Sequence, residues 1–251
     1  MLNEIDFDVI YTSGEKEPVE FFIDALTNSS RFDLGLGFFN SSGFRTLAIG
    51  FAYFISQGGK MRMIINDELT PQDKDAIQRG TYSSPEEVIE KRLIDNFNAL
   101  KDSLSRYDRH FYDCISWMVA SKTLEIIVIT PNSEKGGLAH QKFGLFTDMD
   151  NNRIAFNGSA NFSKSALVHN LETLTCFPSW KGDQSDIKRI EYFLALFNSY
   201  WDGSSLSIRH IPIEKVRAKL AERPRPKNVD ELLKEERAIM NQEGIGNSYR
   251  K

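Results

Sequence analysis

Arg31-Phe-Asp-Leu-Gly-Leu-Gly-Phe-Phe39, then Asn40-Ser-Ser-Gly43, the apolar run Phe44–Ser56, Gly58-Gly59 and Lys60-Met-Arg-Met-Ile-Ile65 together decide the fold class. The first segment reads as a buried strand whose glycines suggest close packing against a helix or a ligand. Asn40–Gly43 has turn composition. Phe44–Ser56 reads as an apolar helix stopped by the glycine pair. Lys60–Ile65 reads as a second strand, with Lys60 and Arg62 as strand-end charges. Strand, helix and strand in this order predict a parallel crossover and an α/β chain.

On the N-terminal side, residues 7–11 read as a short strand or an extended arm. Val19–Leu26, entered at Pro18, places Phe21, Phe22, Ala25 and Leu26 at helical spacing. On the C-terminal side, Thr70-Pro71-Gln-Asp73 carries the marks of a helix start. Ser84-Pro85-Glu86-Glu87 repeats them with a full capping box. Two helices follow, from Pro85 to about Ser103 and from Tyr107 to Ser121. They bury Val88, Leu93, Phe97 and Leu100, and Phe111, Ile115, Trp117 and Met118, as a helical hairpin inserted between sheet strands.

Leu124–Thr130, Ala139–Thr147, Arg153–Asn157 and Asn170–Phe177 read as further strands, with a hairpin turn at Asp148–Asn152 and a last helix over Asp186–Trp201. From Arg209 the charge changes. Residues 209–227 hold seven Lys/Arg against Glu214 and Glu222, and Arg223–Lys227 reads as a linker. Val229–Asn241 is a charged helix with a thin stripe of Leu232, Leu233 and Ile239. The expected division is a domain over residues 1–208 and a basic linker with a C-terminal helix and tail over 209–251.

The 251 residues, 41% hydrophobic and 26% charged, describe an ordinary globular chain, and the net charge of −4 gives no global signature of nucleic-acid binding. Cys114 and Cys176 stand apart, without the spacing of a zinc site, and suit a reducing compartment. The acidic N-terminus has no secretory pattern, and no apolar stretch is long enough for a bilayer. The expected location is the cytoplasm, with no membrane partner, no metal and no cofactor.

The chemistry gathers in residues 138–172: Leu138-Ala-His140-Gln-Lys142, then Asn157-Gly158-Ser159-Ala-Asn161, then Asn170-Leu-Glu172. A strand has period 2, so His140 and Lys142 point to one face and place a nucleophile and a cation in one pocket. A neutral imidazole can attack phosphorus. An ammonium can hold charge on the non-bridging oxygens, and Ser159 and Asn161 can donate hydrogen bonds there. Glu172 can hold a histidine N–H and so fix its tautomer. Lys164 is close enough in sequence to contact a substrate phosphate, while Asn170 reads as a structural residue first and a site residue second.

In combination these residues resemble the signature of the phospholipase D superfamily, the HKD motif, most closely over 138–177. The resemblance implies a mixed β-sheet sandwiched between helices and a metal-independent phosphodiesterase working through a phosphohistidine. The family's aspartate falls where this chain has Thr147, and Asp148 comes one residue later. Asp148 reads as a turn residue, with a place in the site left open by its even offset from Lys142.

Such a mechanism needs a second histidine to protonate the leaving oxygen. None of His110, His169 and His210 is followed by a lysine two residues on. The chain therefore carries half a site, completed by a twofold homodimer with a shared active site. Half-site chains resemble the nuclease branch of the superfamily, including metal-independent restriction endonucleases and nuclease domains of antiphage defence. Those domains are often joined to a helicase, an ATPase or a DNA-reading module. The expected function is a homodimeric DNA endonuclease, on single- or double-stranded DNA, with Lys215–Lys227 available to track a phosphate backbone. Two alternatives remain at this level: a phospholipid hydrolase or transferase of the same superfamily, and a non-catalytic nucleic-acid-binding scaffold.

Overall fold

The computed structural model describes residues 1–37, 48–67, 69–132, 142–158, 173–222 and 226–242. One mixed sheet of eight strands runs through it: β1 (Ile10–Thr12), β2 (Arg31–Leu36), β3 (Lys60–Asn66), β4 (Leu124–Pro131), β5 (Lys142–Thr147), β6 (Arg153–Gly158), β7 (Thr173–Pro178) and β8 (Ile208–Ile211). Their order across the sheet is β1-β7-β6-β5-β2-β3-β4-β8. β2, β3 and β4 are parallel, as the crossover predicts, and every other pairing is antiparallel.

Period-2 alternation assigns each strand residue to a face. Phe32, Leu34, Met63, Ile65, Val128, Phe146 and Phe156 belong to one core. On that face pack α1 (Pro18–Thr27), α2 (Phe51–Ser56), α4 (Pro85–Lys101), α5 (Arg106–Ala120), α7 (Glu214–Ala221) and α8 (Val229–Gln242). Ile64, Ile129, Phe143, Leu145 and Ala155 face a smaller core under α6 (Gln184–Trp201). The first core is built on rings. Phe32 and Phe146 stack at 4.0 Å, and Phe21 and Phe22 of α1 meet Phe156 edge-on at 5.5 and 5.1 Å. Each such buried ring contributes roughly 1.5–3 kcal/mol.

Several expectations change in the structure. The helix read over Phe44–Ser56 is helical only from Phe51 among the described residues. Gly50, at φ 99°, stands in the left-handed region as the N-cap of α2. The close packing expected at Gly35 is against a neighbouring strand. Gly35 lies opposite Phe143 in the β2–β5 ladder, and a Cβ there would come within 2.8 Å of that ring. Arg62 is no strand-end charge. It sits opposite Asp33 in the β2–β3 ladder and grips that buried carboxylate at 2.7 and 2.9 Å, its guanidinium 4.7 Å from the Phe197 ring centre. The capping box of α4 is displaced by one residue. The Ser84 hydroxyl accepts from the Glu87 N–H, while the Glu87 carboxylate accepts from the N–H of Ser83. The expected hairpin is present as α4 and α5, with α3 (Pro71–Gln78) leading into it.

The change of charge at Arg209 falls inside β8, which closes one side of the sheet against β4, and the chain after it packs on the helical layer. The basic residues of this stretch answer the acidic face of α4. Arg209 pairs with Glu86 at 2.9 Å and Lys215 with Glu90 at 3.4 Å, while Arg217 donates to the Ile126 carbonyl at 2.6 Å. α8 is held by a buried carboxylate. Glu236 accepts from the Ala52 N–H at 2.9 Å and faces His110 Nε2 at 3.2 Å.

Candidate active site

Strand direction sorts the ends of the sheet into two edges. The C-terminal ends of β2, β3, β4 and β6 and the N-terminal ends of β5 and β7 share one of them. Between β4 and β5, and again between β6 and β7, the chain departs from this edge and returns to it. Residues 133–141 and 159–172 make those two connections. His140, Ser159, Asn161, Lys164, Asn170 and Glu172 all fall in them and lie outside the described residues. In open α/β sheets the carboxyl ends of parallel strands are where ligands bind, because loops there can vary without disturbing the packed strands.

Lys142 stands at this edge as the first residue of β5, opposite Gly158 of β6. Its side chain shares a face with Phe146 by alternation, and the residue is only 6% exposed. Lysine is rarely so buried unless its ammonium is paired, since removing that charge from water is costly. Gly158, the glycine of the Gly-Ser-x-Asn turn, has a backbone reason for its identity. A Cβ there would meet the Thr173 carbonyl oxygen at 2.5 Å, so only glycine lets β6 and β7 approach at their site end.

A second polar cluster sits at the end of β3 and was not legible as a motif. Asp67, buried, accepts from Arg92 Nη1 of α4 at 2.5 Å, and its N–H donates to the Ile129 carbonyl at 3.0 Å. Arg92 also pairs with Asp73, the acid of the α3 capping box, whose carboxylate accepts from the N–H of the N-cap Thr70 at 2.7 Å. Burial alone would raise the Asp73 carboxyl, but Thr70 and Arg92 outweigh it and hold it below its ordinary value. Burial likewise opposes the charge on Arg92, and Asp67 and Asp73 more than compensate. This clamp ties α3 and α4 to the site edge. The only sequence signal was a lone Asn-Asp pair after an apolar run.

Asp148 lies at the opposite edge. It follows β5 by one residue and Lys142 by six, roughly 20 Å along an extended strand. Its buried carboxylate is fully occupied. Oδ1 accepts from the N–H groups of Asp150 at 3.0 Å and Asn152 at 2.9 Å. Oδ2 accepts from Asn152 Nδ2 at 2.9 Å and the Leu2 N–H at 3.0 Å. The even offset does put positions 142 and 148 on one face, but strand length separates them. Asp148 organises the β5–β6 turn and anchors the N-terminus.

The two described histidines, His110 and His210, lie on α5 and β8. Burial would lower the His110 imidazole, but Cys114 and Glu236 outweigh it and push it up to about 10, deep in the helical layer. His210 lies on β8, four strands from β5 or roughly 19 Å, with Nε2 2.7 Å from the Tyr200 carbonyl. Among the described residues no group of three His, Cys, Asp or Glu side chains is placed to hold a metal ion. No described helix is long and apolar enough to cross a membrane.

No protein-family model matches the sequence, and neither does any curated protein. The chain is similar to several solved structures. One is Nuc, a phospholipase D family member from Salmonella typhimurium, at 13% identity over 80% of this chain and 95% of that one, TM-score 0.43. Another is NucT from Helicobacter pylori, at 15% identity over 76% and 94% of the two chains, TM-score 0.40. A third is phosphatidylserine synthase from Haemophilus influenzae, at 13% identity over 94% of this chain and 46% of that one, TM-score 0.45. These likenesses concern the sheet and its helices, and the chemistry rests on the chain's own residues.

Proposed function

We propose that the chain is a metal-independent phosphodiesterase that acts on DNA as a homodimeric endonuclease. The observation that carries this reading is the burial of Lys142 at the edge from which both motif-bearing connections depart. In the proposed reaction an imidazole nitrogen of His140 attacks phosphorus, a P–N bond forms and the bond to the leaving oxygen breaks. The partner's His140 gives that oxygen a proton. The same imidazole, now neutral, takes a proton from water, whose oxygen attacks the phosphohistidine, and His140 is released with the P–N electron pair. Lys142, with Ser159 and Asn161, stabilises the charge on the non-bridging oxygens. Glu172 orients an imidazole, Lys164 contacts a flanking phosphate, and Asn170 supports the turn.

The second imidazole of the proposed site comes from the dimer mate: His110 and His210 are set apart from the Lys142 edge within one chain, and His169 lies outside the described residues. His110 is enclosed with Glu236 and His210 is four strands away, so neither of these described histidines can provide the second imidazole. A place in restriction or antiphage defence, beside a helicase or DNA-reading module, is an extension that rests on the motif's likeness. The test is incubation with labelled plasmid and single-stranded DNA in EDTA, beside a phosphatidylcholine assay. DNA cleavage by the wild-type chain, lost in His140→Ala, is the expected result. Strict dependence on magnesium, or turnover of the lipid alone, would overturn the proposal.

A further inference from the structure

We infer that the α6 face of the sheet carries a second nucleic-acid subsite, a cleft that takes a nucleotide of single-stranded DNA flanking the scissile phosphate; this rests on the phosphodiesterase reading for its position but not for its binding. The cleft, about 300 Å³, lies between β6, β7 and α6 and is lined by Asn157, Phe177, Lys188, Arg189, Tyr192 and Phe193. That volume suits one small ligand.

Its chemistry matches a nucleotide on three counts. Tyr192 is 60% exposed and presents its ring to the cleft. It packs edge-on against Phe193, with ring centres 5.8 Å apart, which fixes it in place and lowers the entropy lost on stacking. The charges lining the cleft are Lys188 and Arg189, with no carboxylate among the lining residues, in a chain whose net charge is −4. Arg189 is held 5.2 Å over the Phe177 ring and paired with Asp186 at 2.7 Å, while Lys188 beside it is likewise exposed and has no carboxylate among the lining residues. Asn157, exposed at the back of the cleft, offers an amide donor and acceptor to a base edge. An aromatic platform beside cations is how proteins hold single strands, since every base has a face to stack.

Position supports the same occupant. Asn157 stands opposite Phe143, one rung from the Lys142–Gly158 pair, and projects to the other face of the sheet. The cleft and Lys142 thus lie on opposite faces of the same end of the β5–β6 ladder. Duplex DNA, with its bases paired and stacked, cannot offer a base to Tyr192 without unpairing.

The experiment measures the affinity of the His140→Ala chain for a fluorescent single-stranded oligodeoxynucleotide by anisotropy, across a salt series. Adding Tyr192→Ala is expected to weaken binding about tenfold with the salt slope unchanged, and Tyr192→Phe to retain affinity. Adding Lys188→Ala is expected to weaken binding and reduce the salt slope by about one. Unchanged affinity in Tyr192→Ala, with its melting curve intact, overturns the subsite. So does a change in sedimentation without a change in affinity, which would make the cleft a contact between copies. Wild-type cleavage in EDTA beside an inert Tyr192→Ala would sink only the subsite. Tyr192-dependent binding by a chain whose wild type cleaves nothing would sink only the catalytic reading.

Discussion

The two edges of the sheet are built to opposite specifications. At the edge that holds Asp148, connections are short and closed by hydrogen bonds. Asp148 satisfies four donors around a tight turn, the Ser30 N–H reaches the Thr147 carbonyl at 2.9 Å, and the Ser179 hydroxyl accepts from the Arg153 N–H at 2.9 Å. At the edge that holds Lys142, residues 133–141 and 159–172 connect the strands, and a lysine is buried where the sheet ends. One edge is closed by hydrogen bonds; the other carries the candidate chemistry. β5 joins them, with the buried cation at its first residue and the buried carboxylate just beyond its last.

Substitutions at the two edges should therefore separate activity from stability. The largest expected effect is at the Lys142 edge: His140→Ala should lower turnover by on the order of a thousandfold or more without moving the melting temperature. Lys142→Ala should cost about a hundredfold in rate, read by steady-state kinetics, because a charge-stabilising group is lost. Asp148→Ala should do the reverse. It orphans the donors of one buried and three part-buried hydrogen bonds, so denaturant unfolding should show a loss of roughly 2–4 kcal/mol while activity per folded molecule is kept. A loss of rate without destabilisation in Asp148→Ala would break the contrast. The smallest expected effect lies away from both edges. His110 is held up at about 10, above its ordinary 6.5, so its contribution to stability is complete below about pH 6.5 and fades as pH rises toward 10. His110→Gln should melt lower at neutral pH and show a flatter alkaline decline than wild type.

The parallel core of the fold was legible because β2 and β3 are short apolar runs separated by glycines and one helical stretch. The hairpin of α4 and α5 was legible from its caps, even though Glu87 bonds one residue further back than the box requires. What the sequence hid were interactions between distant residues. Nothing local marks Arg62 as the partner of Asp33, since both only read as polar residues in apolar strands until the ladder sets them side by side. The basic run from Arg209 read as a free surface because its partners, Glu86 and Glu90, lie more than a hundred residues earlier. Asp148 shows the limit of periodicity. Alternation carries no information about its distance from Lys142. Of the candidate site, Lys142 and Gly158 have a structural setting, and the other motif residues remain readings of sequence pattern.

The central claim is that the Lys142 edge performs covalent chemistry through His140. It is tested most directly by mixing the wild-type chain with a phosphate-labelled oligonucleotide in EDTA, quenching during turnover, and mapping protein-bound label by mass spectrometry. A base-stable, acid-labile phosphoramidate on the peptide containing His140, absent in His140→Ala, is the expected result. Label on another residue, or cleavage by His140→Ala at the wild-type rate, would contradict it.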